Sequence, residues 1–327
     1  MKILVTGGAG YIGSFMVRAL LEKGYEPIVL DSLERGNEHV VPENVPFYRG
    51  KVGDRELLSK ISSENKFEAV IHFAAYISMK ESMENPGLYF EQNTHQTQMF
   101  LDSLHEIGVK NIIFSSTAGV YGNPERVPIQ EDDRKVPTNP YGESKLMVER
   151  MLFWHKTIYG LNYAVLRYFN ACGAMMDGSL GEEHMPETHI IPIALKSARE
   201  GKEFVIYGND YSTPDGTCVR DYIHVLDLVE AHVLALQKII ENPGGYTYNV
   251  GTGRGKSNKE IAQTIQDVTG LELKVRYEER RPGDADTLVA DVSRITNELH
   301  FEPRYSDLST IVRSAYAWHS KSNKTDN

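Results

Sequence analysis

The sequence predicts an α/β protein: a doubly wound parallel sheet with a smaller, mixed α/β lobe. Three observations support this class. The chain opens with a buried strand, a glycine-rich turn and a helix. Short apolar runs then alternate with helical periodicity as far as residue 169. Beyond Asn170, glycine, acidic residues and histidines interrupt that alternation, which indicates a second structural unit.

Size and charge narrow the class of protein. The chain has 327 residues and a formal net charge of −10, so we expect a large core and an acidic surface that disfavours nucleic acid. No apolar run reaches the roughly 20 residues of a membrane-spanning helix. The start lacks the flanks of a signal peptide, and Cys172 and Cys218 are the only cysteines. We therefore expect free thiols and a cytoplasmic protein.

The glycine turn is the first candidate site. Residues 2–6 form the strand, residues 14–22 the helix, and residues 27–31 a second strand that ends in a carboxylate, Asp31. Glycines at 7, 10 and 13 allow backbone N–H groups to approach a pyrophosphate at the helix N-terminus. An acid about 20 residues further on binds ribose hydroxyls and disfavours a 2′-phosphate. This order is typical of a Rossmann domain that binds NAD.

The next strands bring further polar residues to the same edge. We predict strands over residues 69–75 and 111–117, with a helix over 88–107 between them. Ligands of doubly wound sheets lie at the carboxyl ends of the strands. The glycine turn, residues 73–75 and residues 115–117 should therefore meet there. His72 lies within a buried strand and is interpreted as a core residue.

After a polar loop over residues 124–140, Pro140 begins a helix. A strand over 161–169 completes the predicted NAD-binding Rossmann domain, residues 1–169, with returning segments near 219–251. Residues 170–327 mainly form the smaller lobe. Within residues 170–327 we predict helices over 190–200, 226–240, 257–270 and 308–320, and strands over 204–207, 246–251 and 273–277.

The loop over residues 173–189 contains Glu182, Glu183, His184 and His189. Their spacing matches no metal-binding template. We therefore interpret this segment as a ligand-facing loop and predict no metal site in the protein.

A catalytic pair stands on the helix that follows Pro140. Tyr141 and Lys145 are four residues apart, so both side chains leave one helix face. A phenol is a weak base near neutral pH, and a nearby ammonium lowers its pKa. The hydroxyl of Thr117, at the end of the strand predicted over residues 111–117, should lie beside this pair as a third polar group. Together these residues form a proton-transfer group.

The glycine spacing G-x-x-G-x-x-G and this hydroxyl, tyrosine and lysine set resemble the extended short-chain dehydrogenase/reductase superfamily. A closer resemblance, over nearly the whole chain, is to the UDP-hexose 4-epimerase family. The segments that carry it are residues 5–14, 114–122, 139–145, 166–170, 208–217 and 219–225.

The resemblance implies a function. Such an enzyme holds NAD permanently and interconverts UDP-glucose and UDP-galactose through a transient 4-keto sugar, with Tyr141 as the acid and base. It also implies a homodimer, for which the segments 88–107 and 141–159 are candidate interfaces.

The family positions assign residues to two ligands. The residues expected to contact NAD are Gly7, Gly10, Tyr11, Ile12, Gly13, Asp31, Ser32, Lys51, Val52, Phe73, Ala74, Ala75, Gln92, Ser115, Tyr141, Lys145 and Phe169. The residues expected to contact the UDP-sugar are Thr117, Tyr141, Asn170, His189, Ile190, Tyr207, Arg220, Arg281, Asp284 and Leu288. Paired arginines suit a pyrophosphate because they form forked hydrogen bonds.

Three positions depart from the family pattern. Lys51 replaces an acid that accepts a hydrogen bond from adenine, which predicts weaker retention of NAD. Gln92 stands in place of the first of two paired asparagines. Leu288 has intermediate size at the position that sets the sugar pocket, so UDP-N-acetylhexosamines and UDP-pentoses stay open as substrates.

Two other functions compete with epimerisation. A sugar-nucleotide 4,6-dehydratase needs an acid and a base directly after the threonine, but Ala118 and Gly119 follow Thr117. A non-catalytic NAD-binding regulator would lack the tyrosine or the lysine, and both are present.

Overall fold

The computed structural model describes residues 1–184, 186–281 and 284–322. Its centre is a seven-stranded sheet in which every neighbouring pair is parallel. The strand order is β10-β6-β5-β4-β1-β2-β3. From β1 the chain adds β2 and β3 on one side of the sheet and then β4, β5, β6 and β10 on the other. The strand order therefore reverses between β1 and β4, which is the position at which doubly wound sheets bind ligands.

Thirteen strands are formed by the described residues. They are β1 (Lys2–Thr6), β2 (Glu26–Asp31), β3 (Phe47–Arg49), β4 (Ala69–His72), β5 (Asn111–Thr117), β6 (Asn162–Tyr168), β7 (Asn170–Cys172), β8 (Glu203–Tyr207), β9 (Val219–His224), β10 (Gly245–Val250), β11 (Gly255–Ser257), β12 (Lys274–Glu278) and β13 (Thr287–Leu288).

Eleven α-helices are found in the same ranges, with a π-helical turn at Phe90–His95 and short 3₁₀ turns at Glu38–Val40 and Ala118–Tyr121. The helices are α1 (Tyr11–Glu22), α2 (Arg55–Asn65), α3 (Met79–Glu84), α4 (Pro86–Tyr89), α5 (Gln96–Glu106), α6 (Pro140–Tyr159), α7 (Ile190–Glu200), α8 (Val225–Glu241), α9 (Asn258–Thr269), α10 (Ser293–Leu299) and α11 (Leu308–Ser322).

The two faces of the sheet are covered by separate sets of helices. Side chains from α1, α8 and α10 pack with one face, around Phe15, Leu228 and Tyr248. Side chains from α2, α5 and α6 pack with the other, around Phe100 and Leu152. This three-layer arrangement buries both faces, as parallel sheets require.

The second lobe has its own small core. Strand β9 pairs with β7, β11 and β13, while β8 pairs with β12. Helices α7, α9 and α11 bury Leu195, Ile261 and Val312 in one apolar cluster beside these strands. Helix α8 and strand β10 return to the large sheet, whereas β9 stays in the lobe. The predicted lobe boundary at 327 lies outside the described residues.

Several predicted boundaries need correction. Helix α1 begins at Tyr11, not at residue 14, because Gly10 is its N-cap. The strand predicted over residues 69–75 ends at His72, and residues 73–75 curve past the glycine turn. The helix predicted over residues 88–107 is divided by the π-helical turn. By contrast, β5 and α7 have the predicted bounds.

Two side-chain predictions agree with the structure. His72 is buried and hydrogen bonds to Thr6 Oγ1 over 2.6 Å and to Thr97 Oγ1 over 3.1 Å. Cys172 and Cys218 are both buried and unpaired. Among the described residues, no helix has the length and apolar character needed to cross a membrane.

Candidate active site

The structure places Thr117, Tyr141 and Lys145 together at the carboxyl end of β5. Asn139 caps α6 by accepting a hydrogen bond from Gly142 N over 2.9 Å. Gly142 packs so closely on the turn after β5 that a Cβ there would lie 2.6 Å from the carbonyl oxygen of Gly119. This contact fixes the first turn of α6 against the end of the strand.

The pKa values of the pair differ from the sequence-based expectation. Burial raises the pKa of Tyr141 to about 12, and a hydrogen bond with Thr117 opposes that shift. Burial also lowers the pKa of Lys145 to about 7. The prediction that Lys145 lowers the pKa of Tyr141 is therefore wrong for the protein alone, since desolvation penalises both charges.

A buried ion pair between Glu149 and Arg167 lies one helical turn beyond Lys145. Sequence reasoning did not predict this pair. Glu149 stands one further turn along α6 and opposes the downward shift in the pKa of Lys145. Its carboxylate accepts hydrogen bonds from Arg167 Nε over 3.0 Å and from Ser116 Oγ over 2.6 Å. Arg167 also donates to Tyr121 Oη over 2.8 Å. The i, i+4 spacing from Lys145 was the signal in the sequence that could have identified Glu149.

The glycine turn fits a dinucleotide. Gly7 has φ +72°, and a Cβ there would lie 2.6 Å from Ala74 N, while a Cβ on Gly13 would lie 2.0 Å from Gly7 O. Gly10, the N-cap of α1, makes no side-chain capping hydrogen bond. The first N–H groups of α1 thus remain available to an anion, as a pyrophosphate requires.

Asp31 closes the other side of this turn. Its Oδ2 accepts a hydrogen bond from Ala9 N over 3.0 Å and its Oδ1 accepts one from Leu33 N over 2.9 Å. Burial raises the pKa of Asp31, and the two backbone donors oppose that rise. Ser32 Oγ donates a hydrogen bond to Glu34 Oε2 over 3.3 Å. The carboxylate is held in a fixed orientation beside the turn.

Lys51 and Gln92 lie together at the predicted adenine end. Lys51 Nζ is 3.0 Å from Glu34 Oε1 and donates to Gln92 Oε1 over 3.2 Å. Val52 beside them is buried. Lys51, which departs from the family pattern, is thus paired with the carboxylate of Glu34. Glu34 was not among the predicted site residues.

The predicted nicotinamide end brings together residues from several elements of the fold. Ser115 Oγ hydrogen bonds to His232 Nε2 over 2.8 Å, and the ring of Phe73 lies 4.9 Å from that of His232. Phe169 and Leu288 both pack on an apolar cluster that contains Ala118 and Leu146. The predicted cofactor and sugar residues therefore meet beside the catalytic helix.

The predicted diphosphate residues form two groups in the lobe. Arg220 Nη2 lies 3.6 Å from Asp284 Oδ1, and Leu288 is the register partner of Arg220. The guanidinium of Arg281 lies 4.0 Å above the ring of Tyr207. Asn170, in β7, donates to the carbonyl oxygen of Asp221 over 2.9 Å.

His189 has different partners. It precedes α7, whose first residue is Ile190, and its Nδ1 hydrogen bonds to Glu182 Oε1. Burial would lower the pKa of His189, but Glu182 raises it to about 9. The structure thus places His189 in a cluster of histidines and carboxylates.

Asn93 follows Gln92 in the position of the paired asparagines but was not among the predicted site residues. From the π-helical turn it accepts from Tyr76 N over 2.8 Å and donates to Tyr76 O over 2.9 Å and to Ser144 Oγ over 3.0 Å. It connects the loop after β4 to the helix of Tyr141. The π-helical turn that orients it has no reliable signature in one sequence.

The fold and the site together define a dinucleotide-dependent enzyme of the short-chain dehydrogenase/reductase type. The family model described as "NAD dependent epimerase/dehydratase family" matches residues 3–251. The chain belongs to this family and, within it, to the UDP-glucose 4-epimerases.

Individual relatives show how close this relationship is. The UDP-glucose 4-epimerase of Lacticaseibacillus casei is 46% identical over 98% of this chain and 97% of its own. The same enzyme of Streptococcus mutans is 47% identical, with the same coverage of both chains. The crystal structure of UDP-glucose 4-epimerase from Brucella ovis in complex with NAD is 45% identical, with a TM-score of 0.94 over 96% of this chain and 97% of that one.

Proposed function

We propose that this protein is an NAD-dependent isomerase that interconverts UDP-glucose and UDP-galactose by reversible oxidation at C4 of the hexose. The observation that carries the proposal is the convergence of Thr117, Tyr141 and Lys145 at the carboxyl end of β5. The glycine turn lies beside β4 at the same edge of the sheet. The family to which the chain belongs supports the same reaction.

Tyr141 is the acid and base of this reaction. Its phenolate form accepts the O4 proton as the hexose is oxidised to the 4-keto sugar, and the resulting phenol returns that proton when the sugar is reduced on its other face. Thr117, which hydrogen bonds to Tyr141, orients the same oxygen. Lys145 stands one turn along α6 from Tyr141, and in its ammonium form it would stabilise the phenolate.

NAD, when bound, supplies the hydride acceptor and donor. The residues that we assign to it belong to the glycine turn, the end of β2, the loop after β4 and the catalytic helix. Asp31 has both oxygens oriented by backbone donors, and its charge disfavours a 2′-phosphate. The chain therefore selects NAD over NADP.

Dehydration of the sugar is disfavoured by the residues after Thr117. Ala118 is buried in an apolar cluster with Val120 and Leu146, and Gly119 donates its N–H to Thr117 Oγ1 over 3.0 Å. Neither residue transfers a proton to C5 or C6. The chemistry is therefore restricted to the C4 step.

The sugar specificity depends on Leu288. It is half-buried beside Phe169 in the apolar cluster at the catalytic helix. Because leucine is intermediate in size, the second candidate function is 4-epimerisation of UDP-N-acetylhexosamines or UDP-pentoses. A larger side chain at this position should exclude the N-acetyl group by steric overlap.

The test is an assay of the purified protein without added NAD. We expect conversion of UDP-galactose to UDP-glucose, and Leu288→Tyr should lower the ratio of UDP-N-acetylgalactosamine to UDP-galactose turnover. Failure of the wild-type protein to convert any UDP-sugar, with NAD present, would refute the proposed function.

We also infer a homodimer formed through α6. Met147, Trp154 and Ile158 share one face of this helix and are 38%, 58% and 63% exposed. Together with Phe153 they form an apolar surface of the kind found at subunit interfaces. Sedimentation should show a dimer for wild type and a monomer for Trp154→Lys with Ile158→Lys, whereas Tyr305→Lys, a substitution of another exposed aromatic residue, should leave the dimer intact.

The division into residues 1–169 for NAD and mainly 170–327 for the UDP-sugar belongs to the same proposal. Arg220, Asp284 and Arg281 support it because they lie in the lobe. A cytoplasmic location is proposed from the two unpaired cysteines, which are typical of proteins in a reducing compartment.

A further inference from the structure

Four side chains of the loop between β7 and α7 converge on one point. Glu182, His184, Glu187 and His189 each offer one ligand atom, and these atoms lie within 4.8 Å of one another. His184 Nδ1 is 2.8 Å from Glu182 Oε1, and His189 Nδ1 is 3.7 Å from Glu187 Oε1. Donor atoms around a tetrahedral zinc ion are separated by about 3.3 Å, as bond lengths of about 2.0–2.2 Å require. These two separations lie on either side of that value, whereas His189 Nδ1 and Glu182 Oε1 lie closer together and would have to move apart around a bound ion.

Two features of the cluster call for a cation. Glu182 is only 4% exposed, and both histidines direct Nδ1 to the same carboxylate oxygen. His184 Nδ1 is buried and lies 2.8 Å from Glu182 Oε1. Two imidazole nitrogens that face one carboxylate oxygen need either protons or a metal ion between them and that oxygen, and a metal ion at the convergence point would serve both nitrogens.

We propose that Glu182, His184, Glu187 and His189 bind one divalent transition-metal ion, with Zn²⁺ as the preferred ion. Two carboxylates balance the charge of a divalent cation. Two imidazole nitrogens favour zinc and its neighbours over Mg²⁺ and Ca²⁺, which prefer oxygen ligands. The linear spacing did not reveal this set because Glu-x-His-x-x-Glu-x-His matches no common zinc motif.

The site is structural in character because its loop packs against two elements that are distant in the sequence, α1 and α11. The ring of His184 lies 6.1 Å from that of Tyr11, at the start of α1. Trp318 of α11 donates from Nε1 to the carbonyl oxygen of Glu182 over 3.0 Å. A bound ion therefore ties the loop to the glycine turn and to the last helix, and it makes His189 a ligand of the metal in place of its predicted contact with the UDP-sugar.

The test measures metal content in protein that carries no histidine tag. After incubation with Zn²⁺ and removal of the excess, we expect about one ion per wild-type chain by mass spectrometry. His184→Ala and the near-isosteric Glu187→Gln should each weaken zinc binding about 100-fold or more, measured by competition with a chromophoric chelator. Co²⁺ in the wild-type site should show the visible bands of tetrahedral coordination.

A matched control comes from a histidine that contacts the same loop from the 3₁₀ turn Glu38–Val40. His39 Nε2 lies 3.3 Å from Glu183 Oε2, and both side chains are more than half exposed. His39→Ala removes a histidine next to the cluster without removing a proposed ligand, so its zinc affinity should equal that of wild type. Wild-type protein that releases zinc as readily as His184→Ala or Glu187→Gln would overturn the proposal and leave a hydrogen-bonded histidine–carboxylate pair only.

Thermal unfolding provides an independent readout that does not depend on catalysis. A chelator should lower the Tm of wild type and of His39→Ala but should leave the Tm of Glu187→Gln unchanged, because only a metal bound to the folded state stabilises it. Equal shifts in all three proteins would contradict a specific site.

Discussion

Lys145 donates a hydrogen bond from Nζ to the carbonyl oxygen of Ser115 over 2.9 Å, and this bond joins the catalytic helix to β5. The ammonium also lies 4.9 Å from the ring of Phe114. Since burial lowers the pKa of Lys145 to about 7, the bond and the ring compensate part of the cost of desolvating the charge. Lys145 therefore fixes the position of α6 as well as supplying charge beside Tyr141.

The first prediction concerns the proton-transfer group. Tyr141→Phe should lower kcat for UDP-galactose by about 10³-fold, because the O4 proton loses its acceptor. The bound NAD content, measured after denaturation, should stay at the wild-type value. Turnover at the wild-type rate would rule out Tyr141 as the base.

Tyr89→Phe is the matched control for this substitution. Tyr89 is buried, and its ring makes an edge contact with that of Tyr141 at 6.4 Å. Its hydroxyl donates to Glu81 Oε2 over 2.9 Å and has no part in the proposed chemistry. We expect kcat within about threefold of wild type, since one hydrogen bond contributes about 1 kcal/mol to stability.

The second prediction separates NAD binding from folding. Gly10 has φ −86°, and a Cβ there would approach only Gly7 O, at 3.3 Å. Gly10→Ala should therefore fold normally, yet its methyl group occupies the space that the pyrophosphate needs at the N-terminus of α1. We expect at least about a tenfold loss of NAD affinity, equivalent to about 1.4 kcal/mol.

Gly87→Ala serves as the control, because a Cβ at Gly87 meets no atom within 4 Å. It should keep the NAD content and the Tm of wild type. If Gly10→Ala also keeps full NAD content, the glycine turn does not hold the pyrophosphate.

The third prediction addresses the lysine at the adenine end. Lys51 pairs with Glu34 and Gln92, and its ammonium group has no lone pair to accept a hydrogen bond from adenine. Lys51→Asp should restore an acceptor and raise NAD retention after dialysis, by about tenfold in affinity. Lys51→Met, which removes the charge without adding an acceptor, should not. Equal and full occupancy in all three proteins would show that Lys51 does not weaken retention.

The elements near the glycine turn and around Tyr141 were predictable because local signals agree with the fold. Gly7 has a positive φ, Asp31 ends strand β2 and Pro140 begins helix α6. Each residue type is typical of its position, so a single sequence is enough to predict the local structure there. The strands of the sheet likewise follow from apolar runs of the expected length.

The support beneath the site was not predictable, because it depends on pairs far apart in the chain. Arg167 and Glu149 are both buried, and their ion pair forms only when β6 lies beside α6. The raised pKa of Tyr141 likewise follows from burial, which no spacing rule reveals. The cluster around Glu182 is the same kind of case, since its convergence depends on how an irregular loop folds.

The fourth prediction tests that buried ion pair. Glu149→Ala leaves Arg167 buried without its carboxylate partner, which should lower the free energy of unfolding by about 3–5 kcal/mol. Glu143→Ala, in the first turn of the same helix, should cost about 1 kcal/mol or less. Urea denaturation at one NAD concentration measures the free energy of unfolding of both variants. Equal decreases in the two variants would show that the ion pair of Glu149 with Arg167 contributes no more to stability than the carboxylate of Glu143 in the same helix.

The fifth prediction concerns acid sensitivity. Burial lowers the pKa of His72 to about 3 and the pKa values of His224 and His232 to about 4. Unfolding restores pKa values near 6.5, so between about pH 4 and pH 6.5 the unfolded state binds one more proton per histidine than the native state. Stability should be fully present above pH 6.5 and should fall by about 1.4 kcal/mol per pH unit for each of these histidines as the pH decreases.

A substitution at His232 isolates one of these contributions. Its Nε2 hydrogen bonds to Ser115 Oγ and its Nδ1 to the carbonyl oxygen of Leu228, and glutamine retains a polar group at the position without a titrating proton. His232→Gln should therefore reduce the slope of unfolding free energy against pH by about 1.4 kcal/mol per unit below pH 6.5, even if it lowers stability at neutral pH. Exposed His95→Gln should leave the slope unchanged. Parallel curves for wild type and His232→Gln, from urea denaturation at several pH values and saturating NAD, would mean that the buried imidazole is not the source of acid sensitivity.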